Sequence, residues 1–146
     1  MKTVAQVLKA KPVQAVFTIA PATTVFEAIK LMSEKNIGAL LVTDGDKIVG
    51  IFTERDYARK IALKGHSSKS TPVGEIMSSQ VIYVQPDQTN EECMALMTDI
   101  RVRHLPVLDQ GKLIGILSIG DLVKDMISEQ KFIIDQLQHY ISGSHY

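Results

Sequence analysis

The chain carries the same unit twice. Residues 16–60 and 81–125 align without a gap at a constant offset of 65, and their 45 aligned pairs include 13 identities. The shared positions include Pro21/Pro86, Thr24/Thr89, Glu27/Glu92, Asp44/Asp109, Lys47/Lys112, Gly50/Gly115 and Asp56/Asp121. A repeat of this length is one supersecondary unit that cannot bury its apolar face alone, so two copies predict a pseudo-two-fold pair in which each half covers the other. A site at their junction should then come in two related versions.

Each copy reads as strand, helix, strand, strand, helix. Val16 to Ile19 is short, β-branched and bounded by Pro21, as a first strand should be. Thr24-x-x-Glu27 and Thr89-x-x-Glu92 follow as capping boxes, in which hydroxyl and carboxylate each satisfy a free N–H at a helix start. Val25, Ala28, Ile29 and Met32, and in the second copy Cys93, Met94 and Met97, then recur at helical spacing. "ALLVTDGDKIVGIF" and "LPVLDQGKLIGIL" read as hairpins, turning at Asp44-Gly45-Asp46 and Asp109-Gln110-Gly111. The second helix of each copy should start near Thr53 or Ser118.

The flanks repeat as well. "TVAQVL" (Thr3 to Leu8) resembles "PVGEIM" (Pro72 to Met77), which gives each copy a short helical lead-in. The sequence thus divides into a first unit with its lead-in at 3–63, a polar linker at 64–71, a second unit at 72–127, and a C-terminal helix and tail at 128–146. Met126, Ile133, Ile134, Leu137 and Ile141 continue a helical stripe that should pack on its own domain or on a second subunit, and "SGSHY" reads as a frayed tail.

Composition narrows the classes. At 146 residues and 45% hydrophobic the chain can bury one real core but has no room for a regulatory unit plus a separate catalytic domain. Lys+Arg and Asp+Glu both number 16, so the excess of basic charge that a general nucleic-acid binder needs is missing. The lone Cys93 excludes an internal disulfide and fits a reducing compartment. No apolar run approaches a membrane span, and "MKTVAQVLKAKP" lacks the apolar stretch of a signal peptide, so a cytoplasmic protein is expected. His66, His104, His139 and His145 have no metal-ligand spacing, no G-x-S-x-G elbow is present, and Cys93 falls on the inner stripe of a helix. Catalysis and metal binding are therefore not expected.

The chemistry concentrates where each copy closes, in "GIFTERD" and "GILSIGD". A Thr or Ser that ends a strand and opens a helix places its hydroxyl and free N–H groups where an anion is favoured. Asp56 and Asp121, three residues on, could accept two hydrogen bonds from a ribose diol, or could be capping residues with Asp in place of Glu. Two βαββα units, each opened by a V-x-x-I/V-M/L lead-in and closed by G-I-x-T/S-x-x-D, resemble a tandem pair of cystathionine-β-synthase-type (CBS) domains, a Bateman module, over residues 3 to about 127.

That resemblance implies an α+β fold of two units in pseudo-two-fold arrangement, and a regulatory protein, not a catalyst, that binds AMP, ADP, ATP or NAD between its units. Carried over residue by residue, it implies one site of Thr18, Ile19, Ala20, Gly38 and Ala39 with Ser118 and Asp121. Its twin would use Val84, Arg103 and His104 with Thr53, Arg55 and Asp56, and Arg55, Arg101 or Arg103 could serve either ligand. Ile19 and Val84 would hold the adenine edge through backbone groups, Gly38 and Ala39 would leave room for a base, and Arg103 and His104 would offer donors to phosphate. A homodimer that signals to an unidentified protein target is implied too, with a structural subunit of a transporter or enzyme assembly as the alternative and no nucleic-acid or membrane partner.

Overall fold

Packing regroups the lead-ins. In the computed structural model of the chain, which describes residues 2–12 and 15–141, one compact unit comprises Ala15–Ile82, and the other joins the N-terminal segment to the chain from Tyr83 onward. Helix α1 (Val4–Ala10) starts from a capping box between Thr3 and Gln6. Its first amides are taken by the second copy, with Val4 N–H donating to Gln88 O at 2.8 Å and Ala5 N–H to Pro86 O at 3.0 Å. The lead-in that precedes the first copy in sequence thus packs with the second.

A repeated glycine explains how each lead-in finds its seat. A Cβ on Gly115 would lie 2.7 Å from Leu8 Cδ2, and one on Gly50 would collide with Met77 Sδ and stand 3.0 Å from Ser78 O. Leu8 and Met77 hold equivalent places in the two lead-ins, and each lies flat on the strand where the missing side chain leaves room. Only glycine permits that approach.

In unit Ala15–Ile82, β1 (Thr18–Ile19) runs parallel to β2 (Ala39–Asp44), which pairs antiparallel with β3 (Lys47–Thr53). The first strand is shorter than the sequence suggests. Helix α2 (Val25–Lys35) is capped by Thr24 and ends at Asn36 in the left-handed region. Its Val25, Ala28 and Met32 pack with Leu40, Val42, Phe52, Ile61 and Val73. Helix α3 (Glu54–Asp56) passes into a π-helical turn at Tyr57–Ala62. The polar segment 64–71 also holds α2, since Ser68 O and Thr71 O accept from Phe26 N–H and Val25 N–H. The second lead-in is a single 3-10 turn, Val73–Glu75.

The other unit repeats this plan. Helix α4 (Asn90–Ile100) precedes the hairpin of β4 (His104–Asp109) and β5 (Lys112–Ser118), and α5 (Ile119–Ile141) closes the chain. The counterpart of β1 is one parallel bridge, Val84 to Val107. Both hairpins turn through two residues and use positive φ, at Gly45 (64°) in the first and at Gln110 (51°) and Gly111 (80°) in the second. Both shift register at the same place, between Val42 and Thr43 and between Val107 and Leu108. Val4, Val7, Val84, Cys93, Met97, Leu105, Val107, Leu117 and Leu122 form this core. Asp125 is buried beside Asn90 and ion-paired to Lys2 at 2.9 Å, and the hydrogen bond from that ammonium raises the Lys2 pKa. No helix among the described residues is long and apolar enough to cross a membrane, and the tail read at 142–146 lies outside them.

Candidate functional site

In each unit the hairpin register brings the segment entering the second strand against the closing turn. Ala39 stands opposite Thr53, and Gly38 O accepts the Glu54 N–H at 3.1 Å. His104 stands opposite Ser118, and Arg103 O accepts the Ile119 N–H at 2.9 Å. The predicted groups Gly38, Ala39, Thr53 and Asp56, and likewise Arg103, His104, Ser118 and Asp121, are therefore neighbours within their own units.

Both turns are capping boxes. Asp56 Oδ2 accepts from Thr53 N–H at 3.0 Å and Thr53 O–H at 3.1 Å, while Thr53 Oγ1 accepts from Asp56 N–H at 3.1 Å. Asp121 Oδ2 accepts from Ser118 N–H at 2.8 Å, and Ser118 Oγ accepts from Asp121 N–H at 3.1 Å. The capping reading of these carboxylates is thus realised in both copies, and what distinguishes the copies is what it leaves over.

Each carboxylate also meets a lysine that the sequence reading did not single out. Lys60 Nζ lies 3.2 Å from Asp56 Oδ1 and donates to Ile76 O at 2.8 Å. Lys11 Nζ lies 3.0 Å from Asp121 Oδ2 and donates to Ile116 O at 2.7 Å. In the first turn, then, both carboxylate oxygens and the hydroxyl proton are engaged. In the second, Lys11 and the Ser118 amide share Oδ2, so that among the described residues Asp121 Oδ1 and the Ser118 hydroxyl proton have no partner. A carboxylate accepts through both oxygens, so Asp121 keeps capacity for a donor such as a ribose hydroxyl. Lys60 was legible as an i,i+4 partner of Asp56. Lys11 was not, because 110 positions separate it from Asp121.

The surroundings of the second turn are cationic. Arg103 is exposed, and His104 is partly buried, its pKa lowered first by burial and then by Lys11 and Arg103, against an opposing pull from Asp121. His104 is therefore held toward its neutral form, able to donate through one nitrogen and accept through the other. Arg101 is exposed at the left-handed C-cap of α4, the place Asn36 takes after α2.

The remaining predicted residues divide by accessibility. Thr18, Ala20 and Arg55 are exposed, Ile19 is partly exposed, and Ala39 is buried. Val84 requires a correction. Its side chain is fully buried, its N–H donates to Pro106 O at 2.9 Å and its carbonyl accepts from Leu108 N–H at 3.0 Å, so the backbone edge proposed for adenine is already engaged with β4. Cys93 is buried in the core, where burial first and then Glu92 push its thiol up to about 11, far from a reactive thiolate. A surface cavity of about 490 Å³ lined by Phe26, Ile29, Tyr57 and residues 66–69 includes none of the candidate site residues.

The pattern of the CBS domain family matches residues 4–63 and 73–128. The chain belongs to the CBS domain family. CBSX3, a mitochondrial CBS domain-containing protein of Arabidopsis thaliana, is 43% identical over 127 residues; the match takes in 84% of this chain and 62% of that protein. The chain therefore spans less than two thirds of that relative's length. A protein with CBS domains from Burkholderia ambifaria MC40-6 superposes with a TM-score of 0.85 at 62% identity, covering 88% of this chain and 96% of that one. CBSX2, solved in complex with AMP, superposes at 0.70 with 28% identity over 89% and 99% of the two chains.

Proposed function

We propose that this CBS protein is an adenine-nucleotide-binding regulatory module that takes AMP, ADP, ATP or NAD at its hydroxyl–carboxylate turns. The observation that carries the reading is the Ser118–Asp121 turn, where an unengaged carboxylate oxygen and hydroxyl proton lie beside Arg103, His104 and Lys11. A ribose diol supplies donors for the carboxylate, and phosphate oxygens suit the cations and the start of α5. The AMP complex of CBSX2 supports the choice of ligand class.

In this reading Thr18, Ala20, Gly38 and Ala39 contribute backbone groups and small surfaces to a base that lies against Ile19, and Arg55, Arg101 and Arg103 contribute charge to phosphates. Occupancy acts by linkage: a ligand that favours one arrangement of the protein shifts the population that a protein target recognises. The protein works as a homodimer in the cytoplasm and performs no chemistry on its ligand. A signal-transduction role has been suggested for the Burkholderia relative.

A purely structural subunit of a transporter or enzyme assembly is the second reading, favoured by the internal satisfaction of both turns as caps. Thermal unfolding separates the two. Ligand at about 100 times its dissociation constant adds about 2.7 kcal/mol to the folded state, so one or more of the four nucleotides should raise the Tm. No shift with any of them at millimolar concentration sinks the nucleotide reading and leaves the structural one.

A further inference from the structure

The first copy holds a cavity that the repeat does not require. It measures about 490 Å³ and lies within unit Ala15–Ile82, where α2 and the π-helical turn meet the polar segment 64–71. Its apolar wall is Phe26, Ile29 and Tyr57. At the offset of 65, Phe26 and Tyr57 become Glu91 and Leu122, and Leu122 is fully buried in the core of the other unit. A fold that closes over Leu122 in one copy has no need to leave Tyr57 half-buried and Phe26 46% exposed in the other. The volume is that of a small-molecule site.

The polar wall has spent its acceptors and kept its donors. Ser67 O takes the Ser70 N–H at 3.3 Å and the Thr71 hydroxyl at 2.6 Å, while Ser68 O takes the Phe26 N–H at 2.9 Å. Gly65, at a φ of 69°, turns the chain so that His66 N–H reaches Ile61 O at 3.1 Å. Segment 64–71 is thereby fixed by its own backbone to α2 and to the π-helical turn. Among the described residues, the side chains of Tyr57, His66, Ser67 and Ser68 have no hydrogen-bond partner. Lys69 Nζ has no ion-pair partner there and stands over the Phe26 ring, 5.3 Å from its centroid. No carboxylate lines the cavity. An apolar wall beside fixed donors and one cation calls for an anion with an apolar body.

We propose that this cavity is a binding site for a small aromatic carboxylate, separate from the nucleotide-binding turns. The ligand ring lies against Phe26, Ile29 and Tyr57, where aromatic side chains meet another ring edge-to-face or offset-stacked. Its carboxylate meets Lys69 Nζ and accepts from the Ser67 and Ser68 hydroxyls. Because that ammonium already sits over Phe26, charge and ring are drawn to one end of the cavity. Lys69 is the one Lys or Arg in the lining, so the site matches a single negative charge better than a phosphate dianion. The site shares no residue with the Thr53–Asp56 and Ser118–Asp121 turns and stands or falls without the nucleotide reading.

Amide NMR titration of the full chain tests the site with phenylacetate, with benzylamine, which keeps the ring and reverses the charge, and with acetate, which keeps the charge and lacks the ring. Phenylacetate should shift the amides of Phe26 and residues 66–69 and saturate at millimolar concentration, the affinity that ordinary ligand efficiency gives a molecule of its size. Benzylamine and acetate should not saturate. Lys69→Met keeps the aliphatic stem without the charge and should weaken phenylacetate about two- to fivefold, as loss of a partly exposed ion pair does. Phe26→Glu, which matches the second copy, should abolish binding; both side chains are exposed, so the fold is not at stake. Benzylamine binding as well as phenylacetate, shifts that never saturate or that centre elsewhere, or an affinity untouched by both substitutions overturns the proposal. AMP should leave bound phenylacetate in place. Displacement by AMP would make the cavity a nucleotide site and overturn the carboxylate assignment.

Discussion

The two turns should respond unequally to loss of their carboxylates. Asp121→Ala removes an acceptor whose Oδ1 is open to a ribose hydroxyl, while Asp56→Ala removes one that already receives Thr53 N–H, Thr53 O–H and Lys60 Nζ. Hydrogen bonds to a charged partner contribute about 1.5–3 kcal/mol each, so Asp121→Ala should weaken AMP binding by about ten- to a hundredfold. At the first turn a ribose must displace or share Lys60, whose partner carboxylate is largely buried, and must compete with two internal bonds, so Asp56→Ala should cost less than about fivefold. Lys60→Met restores the open oxygen and should strengthen the first turn. Both alanine variants keep the Thr53 or Ser118 cap but lose the reciprocal carboxylate of the capping box, a stability change that urea unfolding measures separately from binding. Calorimetric titration with AMP on proteins of matched folded fraction reads the comparison. Equal losses from the two substitutions, or a larger loss from Asp56→Ala, would refute the hydrogen-bond inventory as the basis of affinity.

Other consequences follow from packing and charge. Gly115→Ala should destabilise the chain by about 1–3 kcal/mol through overpacking on Leu8, and Leu8→Ala in that background should cost less than in the wild type, a coupling that denaturant titration of the four-protein cycle would expose. Gly50→Ala should cost more than Gly115→Ala, because it meets the Ser78 carbonyl as well as a movable methionine. His104 has a folded pKa below its unfolded value of 6.5, so the unfolded chain binds the extra proton. Stability is then independent of His104 above about pH 6.5 and falls as pH drops from there toward the folded pKa. His104→Gln should flatten that slope in thermal melts between pH 7 and 5, and an unchanged slope would contradict the burial argument.

Much of this architecture is legible in the residues themselves. Paired capping boxes and two-residue hairpins place the helices and strands, because those residues act locally. The exchange of lead-ins is not local: "TVAQVL" and "PVGEIM" announce two equivalent segments, but only the seats under Leu8 and Met77 decide which strand each covers. Val84 misleads for a similar reason, since its β-branched neighbourhood promises a strand, and one bridge to Val107 suffices to engage both its backbone groups. Lys11 stands outside the repeat altogether. A symmetric motif therefore hides an asymmetric pair of turns, in which cations from unrelated positions set what each carboxylate can still accept.

The most direct measurement is a crystal structure of the full chain grown with AMP. The account predicts a ribose hydroxyl donating to Asp121 Oδ1 at about 2.5–2.7 Å, with Lys11 still on Oδ2 and phosphate oxygens near Arg103. AMP bound away from the Ser118–Asp121 turn, or an unoccupied turn at millimolar AMP, would contradict it.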